Sequence, residues 1–197
     1  GLAAGGAMLS AIGFSFIILG LKLNNSEIIY MWIFAGACLG FLKYNYYPAK
    51  ILMGDSGSYL IGLNLSIFAC FTYDYLIKSE YSQYSILIPI LILFVPMLDM
   101  CYVIISRLAE KRSPFFPDRR HLHYKLMRLG FNHPDSVLVC LFANQWFICL
   151  AIVILFYKYW YISLISTILI ILYLFFRFNS LNIFKRSISS KIKNFKD

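Results

Sequence analysis

The chain has 197 residues, of which 60% are apolar, and a mean hydropathy of +0.71. Soluble globules hold roughly 45–50% apolar residues, so a water-soluble domain is excluded and a bilayer is the expected solvent. The net charge of +9 does not point to nucleic acid, because the basic residues gather in particular loops.

A hydrocarbon core of roughly 30 Å is crossed by about 20 mainly apolar residues, and six stretches meet that need in chain order. They run from Leu2 to Leu21, Ile28 to Lys43, Ser58 to Tyr75, Ser85 to Leu108, Ser136 to Tyr157 and Trp160 to Phe178. The expected fold is therefore all-α, a polytopic membrane bundle of about six helices. If the spans alternate, the loops on one side carry fifteen of the eighteen basic residues, and Lys22, Lys78 and Lys158 are the three on the other. The positive-inside rule makes the rich side cytoplasmic. Five cysteines all fall inside predicted spans without a paired spacing, and read as small core hydrophobes.

Between the second and third spans lies Asn45-Tyr46-Tyr47-Pro48-Ala49-Lys50-Ile51-Leu52-Met53-Gly54-Asp55-Ser56-Gly57-Ser58. Two readings stand side by side. Asp55 or Ser56 could cap the helix that follows, the glycines permitting the turn. Alternatively, the exposed N–H groups of a helix start favour phosphate, and Asp55 could hold a divalent cation that bridges phosphate oxygens.

The fourth span contains Pro96 and an ionisable residue, Asp99. A carboxylate in an apolar span is costly and should face the bundle interior or a wet cavity. It marks either a functional place or a structural partner for an arginine or for a backbone group freed at the Pro96 kink. The long loop that follows holds Arg119 and Arg120 directly before His121 and His123. Guanidinium forks suit phosphate, whereas two histidines without a third ligand do not make a zinc site. A solvated basic loop with incidental histidines is the alternative. His133, beside Pro134, reads as solvated or as a cap for the fifth span.

In these residues the chain resembles the polyprenyl-phosphate N-acetylhexosamine-1-phosphate transferases of glycosyl transferase family 4. Asn45 with Pro48-Ala49 and Met53 to Ser58 resembles the family's N-x-x-P-A…M-G-D-x-G-S segment. Pro96, Asp99 and Arg107 match its P-x-x-D…R span, and Asp118-Arg119 through His121-Leu122-His123 its D-R-x-H-[IL]-H-H loop. Gly1 to Gly5 is similar to the end of D-G-x-D-G-L-A-A-G.

The resemblance implies attack by a polyprenyl-phosphate oxygen on the β-phosphorus of a UDP-N-acetylhexosamine, releasing UMP, in the bacterial inner membrane with the active-site loops cytoplasmic. It implies Mg²⁺ or Mn²⁺ at Asp55 and catalytic roles for Asp55, His121 and His123. Asn45, Ser56, Asp99, Arg119 and Arg120 are implied as substrate-binding residues. Polyprenyl phosphate, the nucleotide-sugar and the membrane are the expected partners, nucleic acid is not, and a homodimer is the oligomer it allows. On this reading residues 1–197 form the carboxyl-terminal part of one transferase domain, with 109–135 as its catalytic loop and 179–197 as a basic cytoplasmic tail.

Two departures stand out. Tyr124 occupies the place of the loop's last histidine, and the family's upstream aspartates are absent, so these residues by themselves are expected to be inactive. The competing readings are a non-catalytic membrane scaffold of a glycan-assembly complex and, with less support, a transporter, since no inverted repeat is visible.

Overall fold

The structure is a computed structural model, and it describes residues 1–22, 26–111, 113, 121–156, 165, 168 and 169. Among these residues every regular element is helical: α1 (Leu2–Gly20), α2 (Ser26–Asn45), α3 (Gly54–Ile77), a 3-10 turn (Ser82–Tyr84), α4 (Leu87–Ile92), α5 (Phe94–Ala109), α6 (Leu122–Arg128) and α7 (His133–Leu155). In hydrocarbon only a helix or a closed barrel satisfies its own backbone. That is why the apolar runs fold this way.

Among the described residues four helices, α1, α2, α3 and α7, are long and apolar enough to cross a membrane. The protein is thus a multi-pass helical membrane protein. Helices α2 and α3, of 20 and 24 residues, run past both ends of the stretches expected for them. The sixth expected span and the basic tail lie outside the described residues, apart from Ile165, Ile168 and Leu169, which are helical and exposed.

The fourth expected span departs from a single helix. It is broken at Leu93, which ends the 6-residue α4 and precedes the 16-residue α5. The reason is chemical. Pro96 has no N–H to give the carbonyl of Ile92 one turn back, and that carbonyl instead takes the Ser10 hydroxyl of α1 at 3.4 Å. Asn144 of α7 donates to the Ser10 oxygen at 3.3 Å, so three elements meet at one buried polar knot.

Helix α1 is the axis of the bundle and touches α2, α3, α4 and α7. Its Phe14, Ile17 and Ile18 join Met31 and Phe34 of α2, Phe68 and Leu76 of α3, Ile88 and Ile92 of α4, and Ile148 and Ala151 of α7 in one core. Against α7 the approach is close. A Cβ on Gly13 would lie 2.7 Å from Ile148 Cγ2, and one on Gly20 would lie 2.4 Å from the Phe156 ring. Seven residues is about two helical turns, so both glycines present the same face, as close packing between lipid-embedded helices requires.

The cysteine expectation needs a correction. Cys38, Cys140 and Cys149 are buried, but Cys70 and Cys101 are exposed on the outer faces of α3 and α5. An apolar span has a lipid-facing side as well as a core side, and composition does not separate the two.

Candidate functional site

The turn after α2 is closed by its own polar groups. Asn45, buried at the end of α2, donates its amide to the Ile51 carbonyl at 2.8 Å. The Lys50 and Ile51 N–H groups both reach back to the Tyr44 carbonyl, and the Tyr47–Pro48 peptide is cis. Tyr47 is left at the tip, more than half exposed. Gly1 packs under this turn, where a Cβ would stand 3.6 Å from the Asn45 carbonyl.

Helix α3 opens immediately afterwards. Gly54, with φ of +67°, makes a turn that a side chain would resist, and Asp55 and Ser56 follow in the exposed first turn. The cap position belongs to Met53, which makes no side-chain cap bond. Asp55 is therefore not the helix cap. Its carbonyl takes the Ser58 hydroxyl at 2.8 Å, and the residue is exposed in the first turn of α3.

The histidine loop is docked on α5. Asp99 Oδ1 accepts the Leu122 N–H at 2.6 Å, and Oδ2 accepts His121 Nδ1–H at 2.9 Å. His121 is the N-cap residue of α6 but makes no cap bond with its own side chain. A carboxylate from another helix thus satisfies the first N–H of α6. One turn further along both helices, Lys125 Nζ lies 3.5 Å from the centre of the Tyr102 ring. Asp99 and Tyr102 share a face of α5, and His121 and Lys125 share a face of α6.

After α6, the Phe131 N–H returns to the Leu126 carbonyl and the Gly130 N–H to that of Met127, with Gly130 at φ of +101°. This closed C-terminal turn leads straight to Asn132, whose side chain accepts the Asp135 N–H at 3.0 Å and starts α7. His133 therefore does not cap α7. It begins the helix, and its ring faces inward.

The rings form a continuous row. His121 and His123 are stacked at 6.0 Å, His123 meets Tyr124 at 4.1 Å and His133 edge-on at 6.3 Å, and His133 lies 5.6 Å from Tyr47. The segments around Asn45 and around His121, which sequence reasoning treated as two sites, thus meet through Tyr47 and His133. That contact puts the turn after α2 beside the start of α7. Burial pushes the His123 imidazole below its usual range, helped by the neighbouring His121. Its Nδ1, like that of His133, is buried without a partner among the described residues. A neutral ring able to accept or pass a proton is the chemical result.

Sequence reasoning names Tyr47 only within its segment and His133 only as solvated or as a cap, and places neither in the site. The aromatic run Tyr44, Tyr46, Tyr47 and the His-Pro step at a helix start were the available signals, but neither specifies a partner 86 residues away. Arg119 and Arg120 lie outside the described residues. Asp55 and the histidine row are not joined into a metal cluster, since among the described residues no group of three or more His, Cys, Asp or Glu could hold an ion. Mg²⁺ does not require one. It is commonly held by one or two carboxylates with waters and substrate phosphates, so an exposed Asp55 at a helix start fits a single-carboxylate site, while the imidazoles do not suit that ion.

Residues 1–73 match the family model described as glycosyl transferase family 4. The chain is 40% identical over 157 residues to the probable undecaprenyl-phosphate N-acetylglucosaminyl 1-phosphate transferase of Bacillus subtilis, covering 78% of this chain and 42% of that protein. It is 37% identical over 153 residues to the decaprenyl-phosphate N-acetylglucosaminephosphotransferase of Mycobacterium tuberculosis, covering 71% and 38%. It is 31% identical over 145 residues to the undecaprenyl-phosphate alpha-N-acetylglucosaminyl 1-phosphate transferase of Escherichia coli, covering 68% and 38%. The chain spans about two fifths of the length of the curated relatives it matches.

Proposed function

Because the chain belongs to glycosyl transferase family 4, we propose that the protein transfers an N-acetylhexosamine-1-phosphate from a UDP-sugar to polyprenyl phosphate at the cytoplasmic face of the bacterial inner membrane. A lipid phosphate oxygen forms a bond to the β-phosphorus, the bond from that phosphorus to the oxygen bridging the α-phosphorus breaks, and UMP leaves. The supporting observation is the row Asp99, His121, His123, His133 and Tyr47, which brings separate signatures together.

Phosphoryl transfer needs mainly positioning and charge neutralisation. His121 and His123 are assigned to the diphosphate, with Arg119 and Arg120 as its guanidinium partners. Asn45 has its amide nitrogen engaged on Ile51, leaving Oδ1 for the nucleotide. Ser56 is assigned to phosphate at the start of α3, and Asp55 to Mg²⁺ or Mn²⁺. A divalent ion there would neutralise the diphosphate and polarise its oxygens. A homodimer is the assembly we propose. The relatives are named as transferases, which favours catalysis over a scaffold.

The test uses membranes containing a chain in which residues 1–197 follow an upstream segment carrying the family's aspartates, with undecaprenyl phosphate and labelled UDP-N-acetylglucosamine or another UDP-N-acetylhexosamine. Formation of a labelled lipid with equimolar UMP, lost on chelation and restored by Mg²⁺, is expected. A folded protein that makes no such lipid from any UDP-N-acetylhexosamine refutes the reading.

A further inference from the structure

The carboxylate of Asp99 sits in an otherwise apolar run, and among the described residues its two oxygens bond the start of α6. Both are engaged by the histidine loop, Oδ1 by the Leu122 N–H at 2.6 Å and Oδ2 by His121 Nδ1–H at 2.9 Å. The two bonds do different things. The first holds the start of α6 against α5. The second determines which ring nitrogen of His121 carries hydrogen toward the protein, since a carboxylate accepts only.

We infer that Asp99 is a positioning residue, which docks the histidine loop on α5 and holds His121 with its proton on Nδ1, so that the ring can meet a phosphate oxygen only through Nε2. This deepens the transferase reading, on which its catalytic consequence rests. The arrangement suits an anionic substrate, because a ring between a carboxylate and a phosphate can donate from both nitrogens, and charge-assisted bonds are the stronger kind. Partners behind a functional histidine act in this way by setting tautomer and orientation. Among the described residues the His123 ring of α6 stacks on His121, and His133 of α7 lies beyond it against His123.

A control for docking alone exists on the same face. The Lys125 ammonium over the Tyr102 ring ties α6 to α5 one turn away but touches neither His121 nitrogen. If Asp99 served only to hold the two helices together, Tyr102→Leu and Asp99→Asn should behave alike. Asparagine keeps an oxygen for the Leu122 N–H while turning an N–H₂ toward His121 Nδ1.

The experiment records ¹⁵N spectra of histidine-labelled protein in detergent, with His121 assigned by its loss in His121→Gln, alongside transfer kinetics. The wild type should show a protonated Nδ1 at His121, and Asp99→Asn should move the proton to Nε2. That variant's kcat should fall about 10²-fold, the scale of a positioned proton-handling group, with little change in the donor KM, while Tyr102→Leu stays within a few fold of wild type. An unprotonated Nδ1 in the wild type, or a proton still on Nδ1 in Asp99→Asn, overturns the assignment, as does equal kcat for the two variants. If the wild type transfers no sugar phosphate at all, the transferase reading fails, while the nitrogen spectra still decide what Asp99 does.

Discussion

The seam between α1 and α7 and the seam between α5 and α6 are built by opposite means. Along α1, glycines let the α7 side chains come so near that a methyl group at Gly13 or Gly20 would overlap them. Along α5, Val103 is the one buried residue, α6 has none, and the two helices are joined by a carboxylate pincer and a cation over a ring. Packing has no directional preference and secures the bundle. Hydrogen bonds are directional, and they aim imidazoles while leaving the surface open to a charged substrate.

This contrast predicts that damage to the packed seam lowers stability, whereas removing a directional bond such as that of Asp99 to His121 lowers activity with the fold kept. The largest effect is expected at Gly13. Gly13→Leu forces several atoms into Ile148 and should cost about 1–3 kcal/mol or more, seen as a steep loss of folded protein and a lower melting temperature in detergent, with unchanged donor KM in whatever survives.

At Asp55 the pattern should reverse. The side chain is exposed and caps nothing, so Asp55→Asn should leave the melting temperature unchanged while transfer falls on the order of 10³-fold, as for loss of a main electrostatic group. Retained turnover would remove Asp55 from the cation site.

A smaller effect is expected at the polar knot of the α1–α7 seam, which takes up the α4 carbonyl beside the break. Ser10→Ala takes the hydroxyl from the Ile92 carbonyl and from Asn144, and interhelical hydrogen bonds in membranes are worth roughly 0.6–2 kcal/mol. A modest fall in melting temperature with normal kcat is expected. A large fall in kcat would mean that the break at Leu93 steers Asp99 directly.

The smallest effect is one of pH. His123 has its folded pKa below the unfolded value of 6.5, so the unfolded chain binds the extra proton more readily. Stability should therefore be intact above about pH 6.5 and decline as pH falls through and below it, a slope that His123→Gln should flatten in thermal melts at pH 7.5 and 5.5.

Sequence by itself determined the helical class, the placement of α1, α2, α3 and α7, and the residue types from which the site is made. The reason is that lipid leaves an apolar run of about 20 residues little choice but a helix, and that phosphate chemistry draws on few side chains. Pro96 announced a disturbance in the fourth span. Only the tertiary structure decided that Ser10 takes up the freed carbonyl, that the break falls at Leu93, and that Cys70 and Cys101 face outward. It also decided that Asp99 holds a histidine 22 residues away, and that Tyr47 and His133 join the turn after α2 to the row of rings. Such pairings depend on how rigid helices pack and rotate against one another. Hydropathy records that a residue lies in a helix, but not which way the helix turns.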